Sequence, residues 1–103
     1  VYDYFILGTS VAALQRDAHI CGARDRPFWM QLGGDGTDLS TFFMLHLAAA
    51  IPNSTKGHVS MQHLQEATLL NEPIQVTQGM VTIPETPGLG VTLNMDVVDR
   101  YRV

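Results

Sequence analysis

Only one cysteine, Cys21, occurs in the 103 residues, so an internal disulfide is excluded and nothing points to an oxidising compartment. Charge is sparse as well: six Lys and Arg stand against ten Asp and Glu, a net of −4, and the basic residues are scattered. Without a basic patch to neutralise phosphates, nucleic acid is set aside as the main partner. No apolar run approaches the roughly 18 to 20 residues that a membrane span requires. The N-terminus also lacks the basic region and small-residue cleavage site of a signal peptide. There is no initiator Met, and the chain opens on Val1-Tyr2-Asp3-Tyr4-Phe5 as though cut inside a strand. The expectation is a cytoplasmic piece of protein with no membrane association.

Hydrophobic side chains are abundant, at 46%. That suffices for a small core, yet length alone does not say that the apolar faces close on one another within the chain. Tyr2 to Leu7 reads as a buried strand, bulky at consecutive positions in the manner of a parallel strand covered on both faces. Gly8-Thr9-Ser10 makes the turn, with Thr9 or Ser10 as cap of a helix whose Val11, Leu14, Ala18 and Cys21 share one face. That helix should end near Gly22 to Asp25. Pro27 to Leu32 is a second apolar run, followed by the loop Gly33-Gly34-Asp35-Gly36-Thr37, in which Asp35 or Thr37 can serve as N-cap.

Leu39, Phe42, Phe43, His46, Leu47 and Ala50 then repeat at helical spacing, and Ile51-Pro52-Asn53 stops the helix. His58 to Met61 is a candidate third strand, interrupted by Ser60, and Gln62 to Leu70 is ambiguous. A boundary falls near Asn71-Glu72-Pro73. Beyond it Val81-Thr82-Ile83 and Val91-Thr92-Leu93 are strand-like pieces rich in β-branched residues, joined by the turn Pro84-Glu85-Thr86-Pro87-Gly88-Leu89-Gly90. Strands alternating with helices imply parallel βαβ units. Two or three such units leave sheet edges unpaired, so the chain is expected to associate with itself or with the rest of a larger sheet.

These segments, taken in order, resemble the C-terminal end of the enolase superfamily, in its mandelate racemase and muconate lactonizing group. The residues that carry the likeness are Asp3 in Tyr2-Asp3-Tyr4, Arg26-Pro27-Phe28-Trp29-Met30-Gln31, His46-Leu47-Ala48-Ala49-Ala50-Ile51-Pro52-Asn53, His58-Val59-Ser60-Met61-Gln62, Glu72-Pro73, Pro87-Gly88-Leu89-Gly90-Val91 and Asn94 to Tyr101. The fold so implied is α/β: residues 1–72 form about the last two to three βα units of a (β/α) TIM-type barrel, and residues 73–103 a short β-rich segment returning to the capping domain. The activity implied is that of a lyase or isomerase that abstracts the proton α to a carboxylate, as in acid-sugar dehydration. Such enzymes stabilise the enediolate on Mg²⁺. The resemblance puts the metal ligands upstream of this chain, which then carries no metal site of its own and is not competent alone.

Active sites of such barrels gather at the C-terminal ends of strands. The implied catalytic positions are therefore Asp3, Gln31 and Gln62, with Leu32, Gly33, Gly34 and Met61 as substrate-binding neighbours. Where racemases and dehydratases of the group carry a His base, Gln31 or Leu32 stands, and Gln62 occupies the place of an acidic donor. Neither Gln can take a proton at neutral pH. The expected partner is a small, oxygen-rich carboxylic acid that Gln31 and Gln62 address as neutral hydrogen-bond donors, with an upstream base such as a Lys.

Each residue also has a structural reading. Asp3 can cap or pair with an Arg, Gln31 can be a structural hydrogen-bonder, and His46 lies on the apolar stripe of its helix as a packed histidine. Trp29, Phe42 and Phe43 read as core. His58 and His63 share neither a helical face nor a strand side, which speaks against a metal pair. A second function is carried alongside the enzymatic one: a non-catalytic, self-associating barrel remnant.

Overall fold

A computed structural model describes residues 5–7, 10–32 and 36–103. Asp3, Gly33 and Gly34 lie outside the described residues, as do Tyr2 to Tyr4 of the expected first strand. The chain runs as strand β1 (Phe5–Leu7), helix α1 (Val11–Gly22), strand β2 (Phe28–Met30) and helix α2 (Asp38–Ala50). A 3₁₀ turn (Gln62–Leu64) and a short helix α3 (Met95–Arg100) follow. β1 and β2 pair in parallel, with Phe5 opposite Phe28 and Leu7 opposite Met30. The expected alternation of strand and helix is thus present, and the chain is a small α/β piece.

α1 begins at Ser10, whose hydroxyl accepts the Ala13 N–H at 3.4 Å, and buries Leu14, Ala18 and Cys21 along one stripe. After Gly22 the chain reverses through Asp25 at φ 52°. Asn53, just past α2, braces this reversal: its Nδ2 donates to the Ala18 carbonyl at 3.0 Å, and its own carbonyl accepts the Phe28 N–H at 3.2 Å. Thr37 is the N-cap of α2, accepting the Ser40 N–H at 3.2 Å. Ile51, held extended by the proline that follows, ends it.

Phe28 and Met30 are almost wholly buried and form one cluster with Leu14, Ala18 and Cys21 of α1 and Met44 of α2, against which Leu32, Leu47, Ala48 and Ile51 pack. Both helices therefore cover the same side of β2. Trp29 and Gln31 alternate to the opposite side, which neither helix covers. The buried stripe of α2 differs from the expected one. Asp38, Thr41, Phe42 and Met44 are buried, whereas Phe43 is 44% exposed. α2 packs not only on β2 but also against the chain that follows it, and that second contact draws in polar residues that have partners there.

The third strand is reduced to one parallel bridge, Gln31 to Val59, made by Val59 N–H to the Met30 carbonyl (2.9 Å) and Leu32 N–H to the Val59 carbonyl (3.0 Å). Its continuation is replaced by a side chain: the Met30 N–H donates to Nδ1 of His58 at 3.1 Å. Residues 73–103 contain no strand ladder. Among the described residues Val81 to Ile83 has no pairing partner, and this part makes only the antiparallel bridges Leu70 to Leu93 and Thr77 to Met80. The β-branched residues there are extended, but a strand needs a second edge, and the described chain supplies one only at single residues. Gln78 and Gly79, both at positive φ, make the primed turn between Thr77 and Met80. Asn94 starts α3 by accepting the Val97 N–H at 3.3 Å. That helix stands where the β-rich segment was expected to continue.

Candidate functional site

The C-terminal ends of β2 and of the Val59 segment bring Gln31 and Met61-Gln62 to the same end of the sheet. Gln31 is exposed, on the side of β2 away from the two helices. Beside it on that side, the Trp29 indole nitrogen is buried without a hydrogen-bond partner among the described residues. Met61, at φ −103° and ψ 18°, is where the chain leaves the strand direction, and Gln62 opens the 3₁₀ turn. Both are half-buried. Gln62 also lines a cleft of about 700 Å³ between α2 and the C-terminal arm, together with Thr41, Met44, His58, Ser60 and Met80. Leu32 packs on the buried cluster, so its described role is in the core.

Asp38, Thr41 and His58 make structural hydrogen bonds that the sequence pattern does not signal. The Asp38 carboxylate, buried in the first turn of α2, accepts the Leu39 N–H on Oδ1 (2.9 Å). Its Oδ2 accepts the Leu69 N–H (2.8 Å), the Leu70 N–H (3.2 Å) and the Thr68 hydroxyl. Thr41 reaches the Ser60 hydroxyl at 2.6 Å. His58 spans β2 and Ser54: Nδ1 accepts from Met30, so in the neutral ring Nε2 carries the proton and donates to the Ser54 hydroxyl at 3.1 Å. In sequence, the only trace of these roles is an acidic residue one place after a Thr cap and a Ser that interrupts the candidate strand His58 to Met61. His46 is the packed histidine expected of it, its Nε2–H donating to the Leu89 carbonyl at 2.9 Å.

Burial holds the His58 imidazole below the ordinary histidine range. The unfolded chain therefore takes up this proton more readily than the folded one. The contribution of His58 to stability is intact above about pH 6.5 and is lost as pH falls from there through the lower folded-state value. Protonation also turns Nδ1 into a donor facing the Met30 N–H. Urea midpoints should fall between pH 7.5 and pH 5 in the wild-type chain, and less in His58→Asn, which keeps a neutral acceptor; equal pH dependence in both would refute this reading of His58.

Among the described residues no three His, Cys, Asp or Glu side chains stand together as a ligand set for a metal ion. These residues do not fit Mg²⁺. None of the described helices is long and apolar enough to cross a membrane.

Residues 9–97 match the family described as enolase C-terminal domain-like. The chain belongs to that family. Within the superfamily it falls in the mandelate racemase and muconate lactonizing group, as its curated relatives indicate. It is 43% identical to muconate cycloisomerase 1 of Rhodococcus opacus over 64 residues, which are 61% of this chain and 17% of that protein. It is 43% identical to D-galactarolactone cycloisomerase of Agrobacterium fabrum over 35 residues, 34% of this chain and 9% of that protein. With D-xylonate dehydratase of Haloferax volcanii it shares 38% identity over 66 residues, 63% of this chain and 16% of that protein. The chain thus spans less than a fifth of each of these relatives, and the family match takes in α1, β2, α2 and most of the C-terminal arm.

Proposed function

We propose that this chain is the C-terminal part of an enolase-superfamily lyase or isomerase that abstracts the proton α to a carboxylate, and that it is not competent in isolation. The observation that carries the reading is the parallel arrangement of β1, β2 and the Val59 segment, with both helices packed on the Phe28 and Met30 side of β2. In a (β/α) barrel the side away from the helices is the interior, and the rim at Gln31 and Met61-Gln62 is the end at which such barrels place their chemistry.

The residues present suit polar recognition rather than proton abstraction. Gln31 and Gln62 are neutral at all working pH values, and each offers an amide N–H₂ to an oxygen of a carboxylate or hydroxyl. The base belongs to a segment outside this chain, as do the ligands of the Mg²⁺ that would stabilise the enediolate. Asp3 and the Gly33-Gly34 loop are assigned to the same rim in this proposal, and the substrate class is a small carboxylic acid, sugar acids included, in keeping with the names of the relatives. The remainder of the barrel is the natural partner of the edges of β1 and Val59 that no described residue pairs, with self-association as the substitute when that remainder is missing.

The test is exchange of the α-proton of a panel of carboxylic acids in D₂O with Mg²⁺, using the chain joined to its upstream coding sequence. Exchange with at least one acid supports the enzyme. No exchange with any acid leaves the chain as a non-catalytic, self-associating remnant.

A further inference from the structure

The hydroxyls of Thr41 and Ser60 form a chain whose direction can be worked out from its far end. Thr41 has one hydroxyl proton, and it goes to the Thr37 carbonyl at 2.9 Å. At the 2.6 Å contact between the two hydroxyls, Ser60 must then be the donor and Thr41 the acceptor. Ser60, its proton spent on Thr41, keeps lone pairs for one more bond, and the Gln62 N–H donates to it at 3.3 Å. The run is therefore Gln62 N–H to Ser60, Ser60 O–H to Thr41, and Thr41 O–H to Thr37, all in one sense. Each link polarises the next, and all of it lies in half-buried or buried surroundings where such bonds are strongest.

We propose that Thr41, acting through the Ser60 hydroxyl, is a positioning residue for the Met61-Gln62 rim. Ser60 bonded to the N–H two residues on forces the chain to turn at Met61 instead of continuing as a strand. By itself a serine would favour that turn only weakly, because its hydroxyl rotates freely among partners. Donation to Thr41 fixes the rotor and aims its lone pairs at Gln62. Thr41 is in turn fixed by the Thr37 carbonyl at the cap of α2, so the orientation of the rim is referred back to the first turn of that helix. The assignment of Gln62 to a substrate-facing rim rests on the function proposed above, whereas the relay stands on its own geometry.

The experiment is residue-resolved amide hydrogen exchange on the full chain, with the Leu70 amide, held separately by Asp38, as internal reference. Thr41→Val keeps the shape and removes the hydroxyl. It should raise exchange at Gln62 by about fivefold, the worth of roughly one net hydrogen bond, with Leu70 unchanged, and Thr41→Ser should restore protection. Ser60→Ala should expose Gln62 at least as much, and adding Thr41→Val to it should change nothing further, because Thr41 acts only through Ser60. Should Thr41→Val fail to fold, the same comparison is made between Ser60→Ala and wild type. Unchanged Gln62 exchange, equal rises at Gln62 and Leu70, or additive effects of the two substitutions would each overturn the proposal. The function fails separately: an intact relay in an enzyme whose exchange activity survives Gln62→Leu leaves Gln62 positioned but without a part in the chemistry.

Discussion

Asp38→Ala is expected to cost about 2 to 5 kcal/mol, enough to unfold much of a chain whose whole stability is of order 5 to 15 kcal/mol. The carboxylate is 6% exposed and gathers the Leu69 and Leu70 N–H groups and the Thr68 hydroxyl onto one oxygen. Alanine leaves those donors facing a vacated, water-poor site, and a buried donor without a partner costs about 1 to 3 kcal/mol. The loss spreads, because this stretch sets the register of the C-terminal arm. Asn94 N–H donates to the Leu69 carbonyl at 2.8 Å, Asn71 N–H donates to the Thr92 carbonyl at 2.9 Å, and Leu70, 1% exposed, bridges Leu93. Asp38→Asn gives up the charge that favours the N-terminal turn of α2 and the oxygen that accepts the Leu39 N–H, but it keeps one oxygen for the Thr68, Leu69 and Leu70 donors, so it should be a milder change than alanine. Urea unfolding of the two variants checks the order. Equal and small effects would mean that the arm is held by its apolar contacts alone.

Gly90→Ala is expected to destabilise by about 2 to 5 kcal/mol, and Gly88→Ala by only about 1 to 2. Both glycines are left-handed, at φ 71° and 73°, and any L side chain at either position meets that penalty. They differ in their surroundings. A Cβ at Gly90 would stand 2.4 Å from Cβ of Pro84 and 2.9 Å from the Thr86 hydroxyl oxygen, whereas one at Gly88 would meet nothing within 4 Å. The proline ring cannot swing aside, so the turn itself would have to open. That would pull the Leu89 carbonyl away from His46 and with it the contact between the arm and α2. Thermal melts of the two variants measure the difference, and equal shifts would show that the close approach of Gly90 to Pro84 is not maintained in solution.

The two helices of the α/β part could be read from local signals because their determinants are local. Ser10 and Thr37 cap, Leu14, Ala18 and Cys21 recur at helical spacing, and Pro52 ends α2 through the residue before it. Gln31 and Met61-Gln62 fall at strand ends through the apolar run Pro27 to Leu32 and the candidate strand His58 to Met61, and only the resemblance marks them as site positions. What could not be read depends on neighbours distant in sequence. Phe43 and Asp38 sit on α2 in the opposite sense to their polarity, because the carboxylate has three partners some thirty residues on while the ring has no covering element among the described residues. His58 takes the place of a backbone rung in the sheet, which shortens the third strand to one bridge, and no propensity encodes that substitution. The arm after Pro73 contains the residues of strands without the strands, since β-branched side chains set an extended backbone but cannot supply a partner edge.

The claim on which the functional account rests is that this α/β segment supplies one rim of a larger catalytic barrel. Its most direct test compares α-proton exchange by the 103-residue chain alone with exchange by the same chain joined to its upstream sequence, each with Mg²⁺ in D₂O. The account predicts no deuterium uptake by any carboxylic acid with the chain alone, and uptake by at least one acid with the joined protein. Exchange catalysed by the isolated chain, or none by the joined protein across the panel, would contradict it.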